Sequence, residues 1–81
     1  MIKVLFFAQT RELVGIDEME VPAEFETVEA LRAHLANQEG KWDLALESGK
    51  LLAAVNQSIV PLEHALSDGD EVAFFPPVTG G

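Results

Sequence analysis

The sequence of 81 residues contains no cysteine, and it holds only five lysines and arginines against fourteen aspartates and glutamates, for a formal net charge of −9. Each shortage removes a class of chemistry. Without thiols there is no disulfide framework, no thiolate-held zinc or iron–sulfur cluster and no cysteine nucleophile. The five bases, Lys3, Arg11, Arg32, Lys41 and Lys50, are scattered and form no stripe that would track phosphates, so nucleic acid is not expected as a partner. Basic protein surfaces are expected instead, with association that weakens as salt rises. Long apolar runs are also missing. The segment Met1 to Ala8 is too short for a membrane span and lacks the basic flank and cleavage site of an export signal, which predicts a cytoplasmic chain without a membrane partner.

What is present is 48% apolar residues in a length that suits one small domain, stabilised by its core alone. Ile2 to Ala8 is rich in β-branched and aromatic residues and reads as a first strand. Gln9 to Val14 resembles a short helical turn closed by Gly15, and Met19 to Val21 reads as a second strand before Pro22. The best helix runs from Val28 to about Gln38. Thr27 is its N-cap, Glu29 lies in the first turn where the helix dipole favours an acid, and Val28, Leu31 and Leu35 share one face. Gly40 is a stop, after which Trp42, Leu44 and Leu46 are expected to pack as a short turn or helix. Leu51 to Val55 is a third strand, Asn56-Gln57 its turn and Ser58 to Val60 its antiparallel return. Asp68-Gly69-Asp70 is a turn, and Glu71 to Phe75 the last strand, ended by Pro76-Pro77. The plan is α+β: a mixed sheet with one main helix across one face, residues 1–75 forming the domain and residues 76–81 an extended tail.

Arrangements with autonomous chemistry are not evident. His34 and His64 lie in different elements without a ligand cluster, so no metal site is expected. Asp68-x-Asp70 resembles the opening of a calcium loop, but the required glycine would fall at Ala73 and the twelfth-position acid at Thr79. Asn56-Gln57-Ser58 matches a glycosylation sequon that, in a cytoplasmic chain, is only a turn.

The informative segment is Phe75-Pro76-Pro77-Val78-Thr79-Gly80-Gly81. Two prolines take the chain out of the sheet and stiffen it, and six extended residues reach about 20 Å. Gly80 and Gly81 carry no side chains, so their backbone suits a channel too narrow for other residues. The reactive group would be the Gly81 carboxylate, a poor electrophile that attack on ATP converts to a mixed anhydride with AMP. The competing reading is a frayed tail. At its base, strand alternation places Ile2, Val4, Phe6, Val72 and Phe74 toward the helix and leaves Leu5, Phe7 and Phe75, joined by Ile59, on the opposite face beside Lys3 and Glu71. That face is either a docking surface or is covered by the Gln9–Val14 or Trp42 segment.

These residues together, Leu5-Phe6-Phe7-Ala8-Gln9 with Arg11-Glu12, the Asp68 to Val72 turn and strand, and the Phe75 to Gly81 ending, resemble the small, sulfur-carrier subunits of molybdopterin synthase (MoaD-type proteins). The resemblance implies a ubiquitin-like β-grasp fold with adjacent, parallel first and last strands. It also implies that an ATP-dependent adenylating enzyme (MoeB-type) activates Gly81, that a persulfide donor converts it to a thiocarboxylate, and that the tail enters the large catalytic subunit. There sulfur passes to cyclic pyranopterin monophosphate in molybdenum cofactor synthesis, within a heterotetramer of two small and two large subunits. By this resemblance Gly81 is the adenylated and thiocarboxylated residue, Pro76, Pro77, Val78, Thr79 and Gly80 form the inserted tail, Phe7, Ile59 and Phe75 are hydrophobic interface residues and Arg11 is a docking base. The chain would be a non-catalytic donor without a resident cofactor, ATP being used by the activating enzyme. Alternatives with the same ending are a sulfur carrier for thiazole synthesis, against which Pro76-Pro77 argues, a protein modifier joined to lysines through Gly81, and an interaction module with an inert tail.

Overall fold

In the computed structural model, which describes residues 1–38, 40–47 and 51–77, the elements run β1 (Ile2–Phe6), α1 (Ala8–Val14), β2 (Glu18–Val21), α2 (Val28–Ala36), α3 (Trp42–Ala45), β3 (Leu52–Val55), β4 (Ser58–Val60) and β5 (Glu71–Phe75). The strands form one mixed sheet in the order β2-β1-β5-β3-β4. β1 and β5 pair in parallel, with Val4 opposite Val72 and Phe6 opposite Phe74; the other pairings are antiparallel.

One sheet face is the core. Ile2, Val4, Phe6, Val72 and Phe74 are essentially inaccessible, as are Val28, Leu31 and Leu35 of the covering helix α2. The start of α2 satisfies its free amides by one local cap and two long-range bonds: Thr27 Oγ1 accepts from Ala30 N at 3.1 Å, while the carbonyls of His64 and Leu62 accept from Val28 N and Glu29 N at 3.0 and 2.8 Å. The helix ends at Ala36, two residues before the expected limit, where Asn37 N and Gln38 N turn back to the His34 and Leu35 carbonyls.

β1 likewise ends before the expected Ala8. Ala8 has φ of +53°, a conformation costly for a residue with a Cβ, and the chain there leaves the strand and enters α1. Gly15, at φ +83°, closes that helix, as its position predicts, by donating to the Arg11 carbonyl at 2.9 Å. At the β3–β4 hairpin both central residues, Asn56 and Gln57, take positive φ, the twist that suits a two-residue connection. Asn56 also ties this turn to the one before β5: its Oδ1 accepts from Glu71 N at 3.1 Å and its Nδ2 donates to Asp70 Oδ1 at 3.0 Å. The Ser67 amide and that Asn56 bond hold the Asp70 carboxyl below the usual aspartate range.

Trp42 stands edge-on to Phe6 at 5.6 Å and Leu46 is fully buried, but Leu44 does not join them and is 58% exposed. The reason is helical spacing: in a single turn, residues 42 and 46 share a face and residue 44 points the other way. Arg32 fastens α2 to this segment. Its Nε and one terminal nitrogen reach the Glu29 carboxylate at 2.8 and 2.5 Å, and the other terminal nitrogen donates to the Leu46 carbonyl at 2.7 Å. Arg32→Met is expected to lower stability by about 1–2 kcal/mol, because the carbonyl of a buried residue loses its partner. The Arg32 bond holds the Glu29 carboxyl below its ordinary range near 4.5, so this part of the stabilisation is present above that range and fades as pH falls through the lowered value. Urea titrations of both proteins should therefore show a gap that narrows below about pH 4 without closing, since the Leu46 bond does not titrate.

Candidate docking face and tail

The second sheet face follows from the register. Leu5 lies opposite Ala73, Ala73 opposite Ala54, and Ala54 opposite Ile59, making an apolar row across four strands. One step along the strands, Phe75 lies opposite Leu52, and Phe7 continues the β1–β5 ladder by donating its amide to the Phe74 carbonyl at 3.2 Å. Phe7 is 46% exposed, Ile59 69% exposed and Phe75 half-buried. A step in the other direction the face turns polar, with Lys3 opposite Glu71 and Glu20 and paired with Glu18 at 3.2 Å. The result is an apolar patch with an acidic margin, a pattern suited to a partner with an apolar centre and basic rim.

The two segments that the sequence allowed to cover this face pack elsewhere. Leu13 and Val14 of α1, and Trp42 of α3, pack against the buried cluster on the α2 side of the sheet. Among the described residues no helix lies over Leu5, Ala73 and Ile59. Alternation picks out Leu5, Phe7 and Phe75, and the β3–β4 register adds Ile59, which the sequence only suggested. Leu52 and Ala54 need the β3–β5 register, for which the sequence carries no signal, whereas Ala73 follows from the alternation that already turns Phe75 outward and was overlooked because it is small.

Arg11 is exposed on α1, one helical turn beyond Phe7, whose carbonyl accepts from the Arg11 amide at 3.3 Å. That spacing puts a cation at the end of the patch where β1 and β5 finish. Pro76 is half-buried at the same end and Pro77 is exposed. The remaining tail positions, Val78, Thr79, Gly80 and Gly81, lie outside the described residues. No three His, Asp or Glu residues among those described converge to hold a metal ion. No helix among them is long and apolar enough to cross a membrane.

The model of the ThiS family matches residues 4–81. The chain belongs to the ThiS family. This ThiS-family chain is 73% identical over 81 residues to the molybdopterin synthase sulfur carrier subunit of Escherichia coli (strain K12), with 100% of both chains covered. It is 62% identical, again over all of both chains, to the protein of the same description from Haemophilus influenzae. Among solved structures it is similar to a chain of the protein–protein complex of subunits 1 and 2 of the molybdopterin-converting factor from Helicobacter pylori 26695 (TM-score 0.67, 30% identity, 99% and 97% of the two chains). It is also similar to the small archaeal modifier protein SAMP1 of Haloferax volcanii (TM-score 0.74, 27% identity, 99% and 98%). The fold is the ubiquitin-like β-grasp, with β1 and β5 adjacent and parallel as expected for it.

Proposed function

We propose that the chain is the sulfur-carrier subunit of a molybdopterin synthase, a donor without catalytic groups of its own, in which the carboxyl of Gly81 carries the sulfur. The observation that carries this reading is the full-length identity of 73% to a protein of that description. The bare apolar face ending at Phe7 and Phe75 supports it, because a carrier must be held by its body while its tail is offered elsewhere.

In this reading Gly81 attacks the α-phosphate of ATP on an adenylating enzyme and pyrophosphate leaves. A persulfide displaces AMP from the acyl adenylate, and a thiol then cleaves the resulting acyl disulfide, leaving the thiocarboxylate on Gly81 and an oxidised disulfide on the donor. The tail, Pro76 to Gly80, delivers this group to the large subunit. There the thiocarboxylate sulfur bonds to a side-chain carbon of cyclic pyranopterin monophosphate as a carbon–oxygen bond at that carbon breaks and the oxygen leaves, and water then hydrolyses the resulting thioester, leaving the sulfur on the pterin and restoring the Gly81 carboxylate. Two deliveries complete one dithiolene, so the subunit must leave and return. Phe7, Ile59, Phe75 and Arg11 hold successive partners. The assembly is a heterotetramer of two small and two large subunits, in the cytoplasm. ATP belongs to the activating enzyme, and the carrier keeps no cofactor.

Intact-mass measurement after incubation with an adenylating enzyme, ATP and a persulfide donor tests this. The expected gain is that of one oxygen replaced by sulfur, located at Gly81; an unchanged mass beside an active enzyme control overturns the reading. The likeness to small archaeal modifier proteins, including 33% identity over 90 residues to small archaeal modifier protein 3 of Haloferax volcanii, favours a second reading as a protein modifier. Conjugates on lysines in the same incubation would support it.

A further inference from the structure

A cleft of about 230 Å³ lies between α1 and α3, lined by Gln9, Thr10 and Leu13 on one side, by Leu44, Ala45 and Glu47 on the other, and by Pro76 where the chain leaves the sheet. This volume is below the usual range for small-molecule sites and suits a single long side chain. Two of its features have no role in the fold as described. Leu44 is a large apolar side chain left 58% exposed by the geometry of its single helical turn, and Glu47, also exposed, adds an acid to an already acidic molecule.

The cleft lies on the α2 side of the sheet, where Ala45 belongs to the buried cluster and Leu13 packs against it, and it reaches the end of the sheet at Pro76, next in sequence to Phe75 of the candidate docking face on the other side. Pro76 follows Phe75 directly, and Gln9 and Thr10 follow Phe7 by two and three residues. A partner that grips this end of the sheet can therefore touch Phe7 and Phe75 on one side and the cleft on the other. We propose that this cleft is a second anchor for that partner, taking one lysine or arginine side chain, with the aliphatic stem against Leu13, Leu44 and Pro76 and the cationic head toward Glu47 and Gln9. A basic side chain carries both properties the lining asks for, an apolar stem and a positive tip. The net charge of −9 favours its approach.

This inference rests on the sulfur-carrier reading, which supplies the partner: the large subunit of molybdopterin synthase. Calorimetry with that subunit distinguishes the two. Leu44→Glu and Glu47→Arg should each raise Kd about tenfold while the thermal midpoint stays near wild type, since both residues are exposed. Glu47→Gln should weaken binding less and make it less sensitive to salt. Wild-type affinity for both cleft variants, with Phe75→Arg still defective, overturns the anchor and leaves the carrier reading intact. A weaker Glu47→Gln complex with unchanged salt sensitivity overturns the cationic occupant in favour of an apolar one. Self-association of the wild-type chain that Leu44→Glu abolishes overturns it in favour of a second copy. No binding by the wild-type chain removes the carrier reading itself.

Discussion

Deleting Gly81 is expected to abolish sulfur transfer while leaving the fold untouched. The variant still ends in a glycine carboxylate, so neither the type of reactive group nor the Pro76-Pro77 lead-in changes. What changes is reach: the carboxyl sits about 3.5 Å short of its place. Reactions that depend on an in-line approach lose about a hundredfold for displacements near 1 Å, so turnover with the large subunit should fall below about one-hundredth of wild type. The core gives no reason for a stability change. Its largest fully buried side chains, from Ile2 to Phe74, all precede the tail, and the last strand closes at Phe75. The thermal midpoint should shift by no more than about 2 °C. Single-turnover assays with chemically thiocarboxylated protein separate delivery from activation, and normal turnover by the shortened chain would remove Gly81 from the proposed chemistry.

The contrast between body and tail also explains what was readable beforehand. The core face of β1 and β5 was legible because alternation in a strand is a two-valued pattern: once Ile2, Val4 and Phe6 are assigned inward, Leu5 and Phe7 have only one other side. The N-cap at Thr27 and the turn at Asn56-Gln57 were legible because each rests on local side-chain chemistry, confirmed by the bond from Ala30 N and the positive φ values. The early exit from β1 was not legible, because an alanine at φ +53° has no local signal and is held there by what surrounds it. The short turn or helix at Trp42 was legible, but the packing of Leu44 within it was not, because residues 42, 44 and 46 cannot all share one face of a helix and Leu44 is the one turned outward. The open state of the outer face was a tertiary outcome. It depended on whether Leu13, Val14 and Trp42 packed on one side of the sheet or the other, and they pack on the buried side, Trp42 edge-on to Phe6. The tail was the reverse case. Its composition is informative on its own, and what it is proposed to do depends on partners rather than on packing.

The docking face can be tested at its most constrained member. Phe75 is half-buried, opposite Leu52, and continues directly into Pro76. Phe75→Arg retains an aliphatic stem that can lie along the sheet, so the loss of folding stability should stay within about 1 kcal/mol, a fall of roughly 4–8 °C in thermal midpoint for a domain this size. Binding should suffer more, for two reasons that add. The ring is the kind of central aromatic anchor that contributes 2 kcal/mol or more, equivalent to about a thirtyfold rise in Kd. The new guanidinium also faces a surface expected to be basic, where like charges repel at close range. Phe75→Ala separates the two effects, since it removes the ring without adding charge and should lie between wild type and Phe75→Arg. Calorimetry against the large subunit and against the adenylating enzyme reads both. A Kd within threefold of wild type for Phe75→Arg, in a chain that still unfolds cooperatively, would place the interface elsewhere on the molecule.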